Sequence, residues 1–141
     1  MNKLMRGEKW VDIVAKVTVK NALDESKVRT FDALVDTGAT LLTLPTAWKQ
    51  DLGRFLTTEK ERVQLADQQK RDVEICGPLT IQLEGFRKIN MDVAFVDMTP
   101  EDGAYEPLIG YIVLEQAGIA VDMIGHRLVA VKHLDLKRSG A

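Results

Sequence analysis

The chain has 141 residues, with 19 Lys and Arg against 21 Asp and Glu and a formal net charge of −2. A chain of this length hides roughly two-thirds of its unfolded surface, enough for one hydrophobic core and too little for two, so residues 1–141 read as one domain. The two signs of charge are interspersed without a basic stripe, which argues against nucleic acid as a partner, and no apolar run is long enough to span a bilayer.

The single cysteine, Cys76, rules out an internal disulfide and fits a reducing compartment. Met1 to Trp10 carries Lys3, Arg6 and Lys9, but Val11-Asp12-Ile13-Val14-Ala15-Lys16 then alternates instead of forming the apolar stretch of a leader. On these grounds the chain reads as cytoplasmic.

Strands dominate the pass from N- to C-terminus. Ile13, Ala15, Val17 and Val19 alternate with Val14, Lys16, Thr18 and Lys20, the period-2 pattern of a half-buried strand. Asn21 to Ser26 reads as a polar turn, and Val28 to Val35 returns with Phe31, Ala33 and Val35 on one face. In the apolar run Thr40 to Pro45, Leu41 to Leu44 is expected as a strand. Pro45 to Leu52 reads as a short helix capped by Thr46 and stopped by Gly53. Two alternating runs flank Ala66 to Arg71; then Leu79, Ile81 and Leu83 alternate up to Gly85, and Ile89, Met91, Val93 and Phe95 keep the same period. Asp97 to Glu106 is the longest turn-rich stretch. Tyr111 to Ala117 has helical spacing with Gly118 as its stop, Ile119 to Asp122 resumes as a strand, and Leu128 to Leu134 closes the chain before a flexible tail from about Asp135 to Ala141. Many short strands with one or two short helices predict an all-β, closed, barrel-like domain.

Few side chains carry chemistry. His126, His133 and Cys76 lack the spacing of metal ligands, so no metal is expected; Cys76 in its apolar strand is expected to be buried. Gly103 and Gly110 open no phosphate loop, and no cofactor is implied. Glu59-Lys60-Glu61-Arg62 reads as a solvated face.

Asp36 is different. It ends the strand Phe31 to Val35, begins the turn Asp36-Thr37-Gly38-Ala39, and is followed by a second apolar run, so a carboxylate lies where burial makes its charge costly. Asp and Gly are ordinary turn residues, and a plain hairpin corner has the same tripeptide. Far downstream, Pro107-Leu108-Ile109-Gly110 precedes the expected helix.

The stretch Phe31-Asp32-Ala33-Leu34-Val35-Asp36-Thr37-Gly38-Ala39-Thr40 resembles the active-site loop of retropepsin-like (retroviral-type) aspartic proteases. Leu108-Ile109-Gly110 resembles their second-half signature. The resemblance covers roughly Val11 to Val131 and implies an aspartic endopeptidase in which Asp36 is catalytic, supported by Thr37, Gly38 and Ala39. Thr37 would brace two loops across a dimer axis, and Ala39, where another branch has Ser, removes one hydroxyl donor and implies a mildly acidic activity optimum. Because Leu108-Ile109-Gly110 brings no second carboxylate, and Asp122 is followed by Met123-Ile124 instead of Thr-Gly, the resemblance implies a homodimer with one Asp36 from each chain. A peptide or protein is the implied substrate. Family members cover the substrate with a β-hairpin flap; Asp67-Gln68-Gln69 is the candidate tip, although it lacks the usual glycine, and the turn at Gly77-Pro78 is an alternative. An ordinary solvated hairpin has the same pattern as the first. Dimers of this kind join through their chain ends, here the N-terminal segment and Leu128 to Val131. The other reading of the same fold is a catalytically silent peptide-binding or dimerisation module.

Overall fold

The computed structural model describes residues 3–6, 9–64 and 70–131. Lys3–Arg6 (β1) and Lys9–Asp12 (β2) pair as an antiparallel ribbon. Val14–Asn21 (β3), Asp24–Val35 (β4), Thr43–Pro45 (β5), Thr57–Gln64 (β6), Lys70–Leu83 (β7), Ile89–Val96 (β8) and Leu108–Ile109 (β9) form one sheet. An α-helix, Tyr111–Ala117 (α1), leads to a second ribbon, Ile119–Asp122 (β10) with Arg127–Ala130 (β11).

The sheet closes on itself. Its order is β3-β4-β9-β5-β8-β7-β6, and β7 also pairs with β3 from Val17↔Leu83 to Asn21↔Leu79. Six strands therefore make a ring, with β6 added outside on β7. Closure leaves fewer of the open edges that invite pairing with other chains. The alternation seen in the sequence fills the interior: Val17, Val19, Val35, Leu44, Leu79, Ile81, Val93, Phe95 and Ile109 are fully enclosed in one cluster. A smaller cluster of Val73, Ala94 and Val96, with Leu41 and Ile75 against it, lies apart from that core.

Several local expectations change. The turn after β3 is only Ala22–Leu23, because Asn21 is buried and accepts from the Leu23 N–H through Oδ1 (2.9 Å). The stretch after Asp36 becomes a strand only at Thr43, since the carbonyls of Ala39 and Thr40 are turned to the start of α1. The expected helix at 45–52 is two 3₁₀ turns, Thr46–Trp48 and Gln50–Leu52, and Thr46 makes no cap; Gly53 does end it, at φ +86°. Gly77-Pro78 is not a turn. Strand β7 runs through it, with a shift of register against β8 between Cys76 and Leu79. The last strand ends at Ala130, and 132–134 lie outside the described residues, as do His133 and the expected tail.

Helix α1 matches its expected span, with Gly110 before it and Gly118 after it in the left-handed conformation (φ 68°). Within the β10–β11 ribbon Asp122 accepts from the Gly125 N–H (2.8 Å) and from Arg127 Nε (3.2 Å), which hold its carboxyl below the ordinary range. It braces a turn. Among the described residues no helix is long and apolar enough to cross a membrane.

Candidate active site

Asp36 is placed by three neighbouring strands. Its own strand β4 runs parallel to β9, with Leu34 beside Leu108 and Val35 beside Ile109. The Leu34 N–H donates to the Pro107 carbonyl (2.9 Å), the Asp36 N–H to the Ile109 carbonyl (2.9 Å), and the Val35 N–H to the Ile13 carbonyl (2.8 Å). On its far side β9 meets β5 at Thr43↔Leu108. The short strand β9 is thus wedged between the chain entering the Asp36 loop and the chain leaving it. That placement joins the two motifs, 72 residues apart in number, at one point.

The loop itself is a tight turn. The Ala39 N–H donates to the Asp36 carbonyl (3.0 Å), and the Gly38 N–H donates to the carboxylate Oδ1 (2.9 Å). A backbone N–H directed at a carboxylate fixes its orientation. Thr37 and Gly38 are exposed at the tip, Ala39 is buried, and Asp36 has 0 % of its surface open to solvent.

The first turn of α1 clasps the same loop. The Tyr111 N–H donates to the Ala39 carbonyl (3.0 Å) and the Ile112 N–H to the Thr40 carbonyl (3.1 Å). These are N–H groups that a helix start leaves without an internal acceptor. Gly110 makes the close approach possible: a Cβ there would lie 2.3 Å from the Thr40 carbonyl carbon and 2.5 Å from the Leu41 oxygen. Downstream, the Ala94 N–H takes the Leu42 carbonyl (2.9 Å). The carbonyls of Ile13, Ala39, Thr40 and Leu42 therefore hold the site, and none announces itself in the sequence, because backbone groups are common to every residue.

Of the residues expected at the site, Asp36, Thr37, Gly38 and Ala39 meet Leu108, Ile109 and Gly110. Asp67, Gln68 and Gln69 lie outside the described residues. The strands leading to them, β6 and β7, pair antiparallel as far as Gln64↔Lys70. Cys76 is fully buried, and its thiol is pushed up by that burial.

A family model described as aspartyl protease matches residues 15–112. Among solved structures the chain is similar to the EIAV protease complexed with the inhibitor HBY-793, with a TM-score of 0.55 and 19 % identity over 77 % of this chain and 89 % of that one. No curated protein matches by sequence. The structural likeness establishes the all-β, retropepsin-like fold, and the family match spans both the Asp36 loop and the Leu108-Ile109-Gly110 segment. The chain belongs to the aspartyl protease family.

Proposed function

We propose that the protein is a homodimeric aspartic endopeptidase in which the Asp36 carboxyls of two chains activate one water. The observation that carries this reading is the Asp36 loop: a single buried carboxylate, oriented by the Gly38 N–H and held by Ile109 and α1, with no second carboxylate brought to it by β9. Hydrolysis through a water needs one group to accept its proton and another to donate one. Two ionised carboxylates about 4 Å apart would repel by about 4 kcal/mol at an effective dielectric of 20. The pair therefore retains one proton, the device by which aspartic proteases work, and one carboxyl is the base while the other is the acid. The pair titrates as a unit.

In one chain Asp36 is closed to solvent while Thr37 and Gly38 are exposed. On this reading the loop tips meet first, and the carboxylates come within reach of each other and of water as the loops repack about the axis. Dimerisation and completion of the site are then one event. The mildly acidic optimum, the flap and a dimer built from the chain ends belong to the same proposal.

The test is cleavage of a denatured protein mixture across roughly pH 3–8, comparing wild type with Asp36→Asn at matched dimer content. Cleavage by wild type alone supports the shared-proton pair. Equal silence from two well-folded dimers would favour the peptide-binding module instead. A monomeric variant that still cleaves peptide would refute the paired site.

A further inference from the structure

A groove of about 510 Å³ lies at the end of β4 opposite to Asp36, between the Ala22–Leu23 turn and residues 53–56. Its lining is unusual for a surface. Leu23 is 59 % exposed and Leu56 67 %, and Phe55 forms the floor with its ring 5.6 Å from that of Phe95 in the core. Large apolar side chains left in water around a hollow mark a contact site more often than a packing accident.

The groove is preformed. Asn21, 1 % exposed, ties one wall to the other: its Nδ2 donates to the carbonyls of Leu52 (2.7 Å) and Arg54 (2.6 Å), while its Oδ1 accepts from the Leu23 N–H (2.9 Å). A buried amide with its bonds satisfied on both sides fixes the spacing of the two walls, so little ordering is needed on binding. Gly53, at φ +86°, lets the chain turn under Lys27, whose Cγ packs over it.

Charge on the rim selects the partner. Lys27 and Arg54 are exposed, and among the described residues neither is in an ion pair. The rim carboxylate Asp24 accepts from the Ser26 hydroxyl (2.6 Å) and N–H (3.1 Å), which with nearby Lys27 hold it ionised, below the ordinary range. Two cations against one carboxylate leave a net positive rim beside an apolar floor, which complements a ligand with aliphatic side chains next to carboxylates. We propose that this groove docks a short acidic, aliphatic segment of a partner polypeptide, at a site separate from Asp36. The inference does not depend on the catalytic pairing.

The experiment uses the full chain carrying Asp36→Asn, so that no probe is cut. The probe is a fluorescein-labelled peptide Leu-Asp-Leu-Glu-Leu, with Leu-Lys-Leu-Lys-Leu as its control, followed by anisotropy and by amide chemical shifts. The acidic peptide should bind with a Kd of about 10–500 µM and shift the amides of Leu23, Gly53 and Leu56. Leu56→Asp should weaken it about tenfold and Lys27→Glu about threefold to tenfold, and the basic peptide should bind at least about tenfold more weakly. Both substituted side chains are exposed, so the fold survives, and Leu23→Asp serves as a second apolar variant. Failure of the acidic peptide to bind at about 1 mM, equal binding of both peptides, or shifts confined to residues 36–39 would overturn the proposal. So would a change of oligomeric state in Leu56→Asp, which would assign the groove to a second copy of this chain.

Discussion

Gly110→Ala tests the architecture of the site at its tightest point. The added Cβ would lie 2.3 Å from the Thr40 carbonyl carbon, 2.4 Å from its oxygen and 2.5 Å from the Leu41 oxygen, where ordinary contact begins at 3.4 Å. All three are backbone atoms, so no side-chain rotation relieves the clash. Residues 40–41 and the start of α1 must separate by about 1 Å, a distance that is felt in a close-packed interior. If they stay together, overpacking costs about 1–3 kcal/mol. If they part, the bonds Tyr111 N–H to Ala39 (3.0 Å) and Ile112 N–H to Thr40 (3.1 Å) are lost, at about 0.5–1.5 kcal/mol each. Either route predicts a loss of about 1–3 kcal/mol, or a fall in Tm of roughly 3–12 °C for a domain of this size. A displacement of about 1 Å four residues from Asp36 should also lower kcat/KM about 100-fold. Denaturant titration and peptide cleavage on the same preparations measure both quantities. Gly85→Ala is the control: its φ is +91° with nothing within 4 Å, so it should cost about 1 kcal/mol through strain and leave cleavage unchanged. A Gly110→Ala protein as stable and as active as wild type would refute the clasp between α1 and the Asp36 loop.

Two other predictions concern groups away from the site. Glu74 accepts from Lys49 Nζ at 2.6 Å and raises that ammonium above its ordinary 10.5, so the pair stabilises fully below the lysine range and its contribution is lost as pH rises through the raised value. Glu74→Gln should therefore cost less than about 1 kcal/mol at neutral pH, both side chains being over a quarter exposed, and the gap from wild type should close in alkaline solution; a gap that widens there would contradict the assignment. The enclosed Cys76, its thiol pushed up by burial against a smaller opposing hydrogen bond from Thr58, should react with iodoacetamide at about pH 8 at least about 100-fold more slowly in the native protein than unfolded. Labelling of the native chain at the unfolded rate would refute its burial.

Much of the architecture was legible in the residues. Period-2 alternation placed most long strands, because one face of each must meet the core, and Gly118 marked the end of α1 because only glycine readily takes φ 68° there. Asp36-Thr37-Gly38-Ala39 could be located for the same local reason: a plain turn has the same tripeptide, but apolar runs on both sides make a carboxylate there costly to ionise. Legibility failed where a segment's form depends on distant partners. The run that begins at Thr40 has the composition of a strand, yet the Thr40 carbonyl is taken by the Ile112 N–H, and pairing with β8 begins only where the Leu42 carbonyl meets the Ala94 N–H beside Thr43. Gly77-Pro78 has the composition of a turn, yet β7 absorbs it as an irregularity because its flanks are held by β6 and β8 on one side of the pair and by β3 and β8 on the other.

The sequence by itself determined the all-β class, the faces that are buried, the helix at 111–117 and the carboxylate most worth attention, since these follow from side-chain chemistry at short range. Only the tertiary structure decided that β7 returns to β3 to close the ring and that β9 enters between β4 and β5. Nor did any local pattern show that Asn21 holds open a groove at the far end of β4. Those outcomes rest on backbone hydrogen bonds and close approaches between residues far apart in the chain. Every residue carries the same N–H and C=O, so the pattern of side chains does not encode which of them will meet.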